Sequence, residues 1–273
     1  YHSLRAFPLI RMIYKERDSL TCPLPTLLFW RFTAGVYYEI CKEDGFDNAF
    51  GDSFQVYVGK VLERATTPSK TRIYGEEEYH VGRDRKRTVD WIVDQDNAAL
   101  FVEAKTKRMV MEARVEVVDP AVLSAELTKM ASMIVQVYKS IKDYRDNLYP
   151  TYRFKNDRTI FPLIVTLEDW FLFGERLLSE LADKVREAFR AEHVPEEWLR
   201  EMPYMVCSIN ELERAIQVMD SVGIKAVMEG KTCPEKREWA LEPYLQNDYK
   251  AEMRATRFLF PEEFDRLDVS ALG

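Results

Sequence analysis

Residues 87–109, "RTVDWIVDQDNAALFVEAKTKRM", decide the fold of this chain. Two runs rich in β-branched and aromatic residues flank the polar step 96–97 (Asp-Asn), which is the pattern of two strands joined by a tight turn. Both turn residue types tolerate positive φ, as a type I′ turn requires. A two-residue turn at this step pairs Gln95 with Ala98 and thereby sets the register of the whole hairpin.

Three charged residues interrupt these apolar strands. The predicted register places Asp90 directly opposite Glu103, with Cβ atoms about 4.5–5.5 Å apart, and Lys105 follows on the same face. Facing carboxylates destabilise a sheet unless positive charge lies between them. Mg²⁺ can supply that charge, because it binds through one or two carboxylates plus water and phosphate oxygens. A neighbouring lysine can position a metal-activated water or meet charge on a phosphate. The arrangement therefore predicts a phosphodiester-cleaving site.

The alternative is a solvated sheet face on which Lys105 and Lys107 neutralise Glu103. The adjacent residues are strongly apolar, including Trp91 and Phe101, which indicates central strands whose charges are partly buried. Burying unpaired charge is costly, so the functional interpretation is favoured.

Composition limits the classes of function. The 273 residues carry a formal net charge of -7, which argues against coating nucleic acid by bulk electrostatics but leaves a local basic groove open. Four cysteines without a C-x-x-C pair predict reduced thiols rather than disulfides or a zinc site. The most apolar segment, 25–40, is interrupted by Arg31 and too short for a membrane span, so we expect a buried helix and a cytoplasmic protein. The start at Tyr1 predicts part of a longer protein.

The remaining pattern predicts an α/β protein in the order helix, three strands, helix, strand, helix, strand, helix. We expect a helical module at 1–48, a core at 49–225 and a mostly helical extension at 226–273. The predicted core elements are a helix at 51–65, a strand within 71–82, the hairpin, a long helix from Pro120 capped by Asp119, a buried strand "RTIFPLIVTLEDWF", a helix at 174–192, a strand "PYMVCSI" and a helix capped by Ser208 or Asn210.

Asp90 in "TVDWIV", followed by Glu103-Ala104-Lys105 in "LFVEAK", resembles the motif of the PD-(D/E)xK nucleases, the restriction-endonuclease-like superfamily. A preceding amphipathic helix and a following long helix match the setting of that motif. The resemblance covers roughly residues 50–225 and implies a mixed central β-sheet flanked by helices, with extra helical segments at both ends.

The resemblance also implies roles for particular residues. Asp90, Glu103 and the carbonyl of Ala104 would bind Mg²⁺ or Mn²⁺, and Lys105 would position or activate the attacking water. Related nucleases carry a further acid on the preceding helix and, in some branches, a glutamine on the following helix. The candidates for these extra catalytic positions are Glu63, Gln55 and Gln136, and the neutral amide of Gln55 would depart from the glutamate found in relatives. Glu63 as a solvated helix residue is an equal alternative.

Basic residues flank the hairpin and could hold phosphates. They are Arg83, Arg85, Lys86 and Arg87 before it, and Lys107 and Arg108 at its end. A solvated loop is the competing interpretation of residues 83–87, and the acidic run 76–78 is expected to be solvated.

The predicted function is a Mg²⁺-dependent DNA nuclease, with restriction, defence against phage, or repair as expected settings. DNA as substrate follows from the resemblance. A larger chain or partner proteins that regulate the nuclease, and a homo-oligomer, are further expected partners, and no membrane partner is expected. One alternative is a non-catalytic binding or scaffold module that keeps the nuclease fold. Another is an unrelated α/β protein, which a parallel, doubly wound sheet would favour.

Overall fold

The computed structural model describes residue 4 and residues 7–14, 17–41, 43–107, 120–170, 172 and 174–266. Within these ranges the chain is a mixed α/β protein with nine strands and eleven helices. It divides into two compact units, residues 1–52 and residues 53–273. None of the helices in the described ranges is long and apolar enough to cross a bilayer.

The first unit combines a β-hairpin with helices. Its elements are β1 (Ile10–Tyr14), β2 (Arg17–Thr21), α1 (Pro25–Phe32), α2 (Ala34–Ile40) and the first turns of α3 (Phe46–Ala65). β1 and β2 pair antiparallel, and an ion pair between Arg11 and Asp18 joins them at 2.6 Å. The prediction of a helical N-terminal module is therefore wrong for the strands at 10–14 and 17–21, where apolar residues and a cross-strand charge pair favour strand pairing.

The apolar segment 25–40 is not one buried helix. It breaks at Thr33, whose φ of -109° and ψ of -99° are not helical and whose hydroxyl donates a 2.8 Å hydrogen bond to the carbonyl of Phe29. None of the α1 residues is buried, and Phe29 and Phe32 are 73% and 71% exposed. The prediction of burial was wrong because apolar composition alone does not supply a packing partner.

The second unit is built on a five-stranded mixed sheet. In spatial order its strands are β3 (Thr71–Gly75), β6 (Trp91–Gln95), β7 (Ala98–Lys105), β8 (Thr159–Thr166) and β9 (Met205–Ser208). β3, β6 and β7 are antiparallel neighbours, whereas β7, β8 and β9 run parallel. Within this sheet, three strands before the long helix and two later strands separated by helices match the predicted order. The sheet is not the all-parallel one of the unrelated α/β alternative.

The central hairpin has the predicted register. Gln95 pairs with Ala98, so the turn has two residues. Asp96 has φ of 46°, which an aspartate tolerates in a tight turn. Asn97 is not among the described residues with positive φ, so the turn is not type I′, although its length and its effect on the register are as expected.

Helices cover both faces of the sheet. Helix α3 packs on one face, where its Phe54, Val58 and Leu62 share a core with Val93 and Leu100. Helices α4 (Pro120–Arg145) and α5 (Glu175–Ala191) cover the other face. Strand β8 is buried from its second residue to its last, which is why its sequence is apolar without alternation.

The stretch "TRIYGEEEYHVG", predicted as one strand, is two strands in different sheets. After β3 the chain leaves the main sheet, and β4 (Glu78–Val81) pairs with β5 (Asp84–Arg87) in a separate hairpin. Glu77 is held at the break, because its carboxylate accepts a 3.1 Å hydrogen bond from the backbone N–H of Thr151. The basic stretch 84–87 is therefore strand β5 rather than a loop.

The short helix α6 (Trp198–Glu201) precedes β9. After β9 the described chain is mainly helical, as predicted, with α7 (Ile209–Val222), α8 (Ile224–Thr232), α9 (Leu241–Asp248), α10 (Lys250–Ala255) and α11 (Pro261–Asp265). Ser208 caps α7 in a capping box with Glu211. Val227, Tyr244 and Met253 join the same core as α3, so the C-terminal helices complete the sheet's cover.

Candidate active site

Asp90 and Glu103, here called the carboxylate pair, lie at the open end of the β6–β7 hairpin. The paired residues end at Trp91 and Val102, and one further step of the same register brings Asp90 beside Glu103. Strand alternation puts both side chains on the face of Ile92 and Phe101, which is the face covered by α4. The hairpin register therefore positions the two acids.

Direct contacts join the carboxylate pair to its neighbours. The backbone N–H of Ala104 donates a 2.7 Å hydrogen bond to Oδ2 of Asp90, and Nζ of Lys105 donates to Oε1 of Glu103, also at 2.7 Å. Asp90 is 9% exposed and Glu103 is 6% exposed, while the Lys105 side chain is 25% exposed. The structure thus brings together the three residues of the predicted motif.

Burial and a neighbouring negative charge both disfavour ionisation of Asp90, and burial is the larger of the two effects. Burial raises the pKa of Asp90, and the negative charge of Glu103 raises it further; the Ala104 N–H and the Lys105 ammonium oppose this, and the pKa becomes about 7 instead of 3.8. One lysine therefore does not compensate two buried carboxylates, and the site favours an additional positive charge.

Asp94 provides an internal comparison, because it lies on the same strand and the same face. It is 5% exposed, yet its carboxylate is paired with Lys155 at 3.1 Å and with Arg158 at 2.9 Å. Two cations thus balance this acid, as expected for a structural buried charge. The carboxylate pair lacks such a balance, which distinguishes it from a structural ion pair.

Glu76 is a site residue that the sequence interpretation missed. β3 ends where Gly75 pairs with Trp91, so the next step of that register brings Glu76 toward Asp90, and its negative charge raises the pKa of Asp90. Its carboxylate also accepts a 3.2 Å hydrogen bond from Arg87. Glu76 is identified by the pairing of β3 with β6. The sequence of residues 71–82 predicts a strand but does not predict which strand it pairs with.

The donor set fits a hard divalent cation. Mg²⁺ commonly binds one or two carboxylates and completes its octahedron with water and phosphate oxygens. In the described ranges, no group of three or more His, Cys, Asp and Glu side chains is arranged to hold a metal ion. An ion at this site would therefore bind Asp90, Glu103 and the Ala104 carbonyl together with oxygens from outside the protein.

The structure does not bring Gln55 and Glu63 to the carboxylate pair. Both lie on α3, which packs on the opposite face of the sheet. The carbonyl of Gln55 accepts a 3.0 Å hydrogen bond from the indole of Trp91, and Glu63 is exposed. Trp91 neighbours Asp90 in the chain but points to the other face, which explains why these two candidates are remote from it.

Gln136 is also remote from the carboxylate pair. It is exposed on α4, between residues that face the core. Tyr138, two residues further on and about 200° round the helix, is instead buried and donates a hydrogen bond to the carbonyl of Met202. Helical periodicity thus directs Gln136 to solvent.

The basic residues before the hairpin are largely neutralised by ion pairs. Arg85 pairs with Glu78, Lys86 pairs with Asp143 at 2.7 Å, and Arg87 pairs with Glu76.

Three basic candidates remain. Arg83 and Lys107 are exposed, and the carbonyl of Lys107 accepts a 3.1 Å hydrogen bond from the indole of Trp170. Arg108 lies outside the described residues. The free basic surface in the described ranges is thus smaller than the sequence suggests.

The comparisons with protein-family models, with curated proteins and with solved structures found no match.

Proposed function

We propose that this protein is a Mg²⁺- or Mn²⁺-dependent nuclease that hydrolyses DNA phosphodiester bonds by in-line attack of water. The observation that carries the proposal is the carboxylate pair: two buried acids on adjacent strands, insufficiently neutralised, with Lys105 in contact with one of them. The mixed sheet with helices on both faces supports a fold of the restriction-endonuclease-like type.

Each residue has a defined role in this proposal. Asp90, Glu103 and the Ala104 carbonyl hold the ion, which supplies Lewis-acid polarisation of the phosphate and lowers the pKa of water. Lys105 is already oriented toward the carboxylate pair by its bond to Glu103, so its ammonium is available to position the water or to stabilise charge developing on the phosphate. The Ala104 N–H fixes the rotamer of Asp90.

A non-catalytic scaffold that keeps this fold is the second candidate. It is favoured by the ion pairs that occupy Arg85, Lys86 and Arg87, because paired guanidinium and ammonium groups offer less to a phosphate backbone. Under this alternative the unmodified protein binds Mn²⁺ no more tightly than a variant that lacks one of the two acids.

Cleavage of supercoiled plasmid and of short linear duplex DNA, with Mg²⁺, Mn²⁺ or EDTA, tests the proposal. We expect metal-dependent cutting that falls about 100-fold or more in Lys105→Ala, in line with the loss of a positioned acid–base group. Lys225→Ala is the matched control, because Lys225 lies on α8 and pairs on the surface with Glu229; it should cut as the unmodified protein does.

A Mn²⁺ titration by calorimetry separates the two candidates. The nuclease should bind Mn²⁺ with an affinity that drops at least about tenfold in Asp90→Ala, since one of two carboxylate ligands is lost. Equal binding by the two proteins, together with an absence of cutting, would favour the scaffold.

A further inference from the structure

A cavity of about 400 Å³, whose lining does not include the carboxylate pair, lies at the carboxyl end of β8 and β9. Its floor includes Thr166, Cys207 and Ser208, the last residues of these two strands, and its sides come from α5 and from the chain around residues 231–241. In open sheets with parallel strands, the carboxyl ends of the strands are the usual place for ligands. The cavity therefore has the size and position of a small-molecule site.

The walls of this cavity are aromatic and aliphatic. The lining includes Trp170, Leu181, Val185, Trp239 and Leu241. Trp170 is 2% exposed and Trp239 is 41% exposed, so one indole is built into the wall while the other borders solvent. Such walls favour a flat apolar ring, which gains both hydrophobic and stacking contacts.

Two opposite charges lie within these apolar walls. Lys231 is only 7% exposed, and its ammonium donates to the carbonyls of Lys236 and Arg237 at 3.3 Å and 3.0 Å, which uses two of its three N–H groups. Glu211 is partly buried, and its Oε2 accepts the backbone N–H of Ser208 at 2.9 Å. A ligand with an acceptor for the remaining N–H of Lys231 and, beside it, a donor for the carboxylate of Glu211 would satisfy both groups.

The charge balance of the lining restricts the ligand class. Among the described residues, four acidic and three basic side chains line the cavity, so this part of the lining offers no cationic surplus for a phosphate group. A polyphosphate or a nucleic-acid backbone would meet as much repulsion as attraction there. A neutral ring with polar edges meets neither.

We propose that this cavity binds a single nucleobase, presented either by a free nucleoside or by an unstacked base of a nucleic-acid strand. A nucleobase combines a flat face with neighbouring donors and acceptors on its edge, which matches the indole walls and the pair of Lys231 and Glu211. The cavity also adjoins the candidate active site, because Thr166 pairs with Lys105 and the Trp170 indole donates to the Lys107 carbonyl. The proposal stands whether or not the protein cuts DNA.

Calorimetric titration with adenosine, guanosine, cytidine, uridine and thymidine tests the proposal, beside single-stranded pentanucleotides and indole. We expect saturable 1:1 binding of at least one nucleoside or oligonucleotide and binding of indole at least about tenfold weaker, because indole lacks the paired donor and acceptor. ATP should bind no more tightly than adenosine. Trp239→Ala should weaken binding about tenfold or more, as expected for the loss of a stacked base, and so should Lys231→Met.

Lys225→Met is the matched control, because the same substitution is made on the same helix outside the cavity; it should bind as the unmodified protein does. If Lys231→Met does not fold, Trp239→Ala still decides, because its partly exposed ring is dispensable for the core. If nucleosides bind and oligonucleotides do not, the ligand is a free nucleoside. If only oligonucleotides bind, the ligand is an unstacked base of a strand. The proposal is overturned if none of these probes binds at millimolar concentration, if indole binds as tightly as the nucleosides, or if Trp239→Ala leaves binding unchanged.

Discussion

Asp90→Asn should make the metal-free protein more stable at neutral and alkaline pH. The reason is the raised pKa of Asp90, which burial and the charge of Glu103 bring to about 7 from 3.8. An amide has no charge to bury, and its carbonyl oxygen can still accept the Ala104 N–H at the position of Oδ2. The substitution therefore removes the repulsion and retains the hydrogen bond.

The sign of the pH dependence follows from proton binding. Between the unfolded pKa of about 4 and the folded pKa of about 7, the folded protein holds a proton on Asp90 that the unfolded chain has released, so stability falls as pH rises through this window. At about 1.4 kcal/mol per pKa unit, the stability lost through Asp90, relative to acidic pH where both states hold the proton, reaches about 4 kcal/mol at pH 8 and is about 1.5–2 kcal/mol at pH 5. We expect Asp90→Asn to recover roughly half of this or more, because the protein relaxes around the substitution.

Urea unfolding followed by tryptophan fluorescence, in EDTA at pH 5 and pH 8, measures the effect. Four of the five tryptophans lie in residues 53–273, so the signal reports on the unit that holds the site. Added Mg²⁺ should then stabilise the unmodified protein and not the variant, since binding to the folded state alone raises stability.

Asp94→Asn is the matched control for this experiment. It makes the same change on the same strand face, but Asp94 is balanced by Lys155 and Arg158, so its loss should destabilise the protein by about 1–3 kcal/mol. The reasoning is refuted if Asp90→Asn is no more stable than the unmodified protein at pH 8, or if its advantage is larger at pH 5 than at pH 8.

Two further predictions concern the surroundings of the site. Glu76→Gln should lower the pKa of the buried aspartate in the carboxylate pair, because it removes a nearby negative charge; carbon-13 NMR of the carboxyl groups measures it, and an unchanged titration would show that Glu76 acts elsewhere. Gly59→Ala should destabilise the protein by about 1–3 kcal/mol, because its Cβ would lie 2.2 Å from the indole ring of β6 and the core must shift. Gly51→Ala, on the same helix with no atom within 4 Å, should instead stabilise by about 0.5–1 kcal/mol; equal effects in urea unfolding would contradict this difference.

Local pattern predicted the features of the central hairpin and of one helix start that depend on neighbours in the chain. The two-residue turn sets the pairing of Gln95 with Ala98, and that single register places Asp90 beside Glu103. Ser208 caps α7 through the N–H three residues ahead. These features depend on backbone geometry over a few residues, which is why the sequence predicts them.

Features that join distant segments were predicted poorly. Helical periodicity identifies the buried side of α3, but it does not tell which face of the sheet that side covers, so Gln55 and Glu63 were assigned to the wrong side. Glu76 approaches Asp90 only because β3 pairs with β6. The neutralisation of Lys86 depends on Asp143, which lies on α4.

By itself, the sequence determined the order of the main-sheet strands and of the long helices between them, the hairpin register and the three charged residues that this register brings together. Each of these follows from alternation, capping and turn length, which act within short stretches of chain. The tertiary structure decided which charges are balanced and which are not: Asp94 meets two cations, and the carboxylate pair meets one. The tertiary structure also forms the cavity, because its lining residues are spread along the chain from Thr166 to Leu241. Solvent exclusion and charge pairing depend on distances across the fold, and short-range patterns carry no information about those distances.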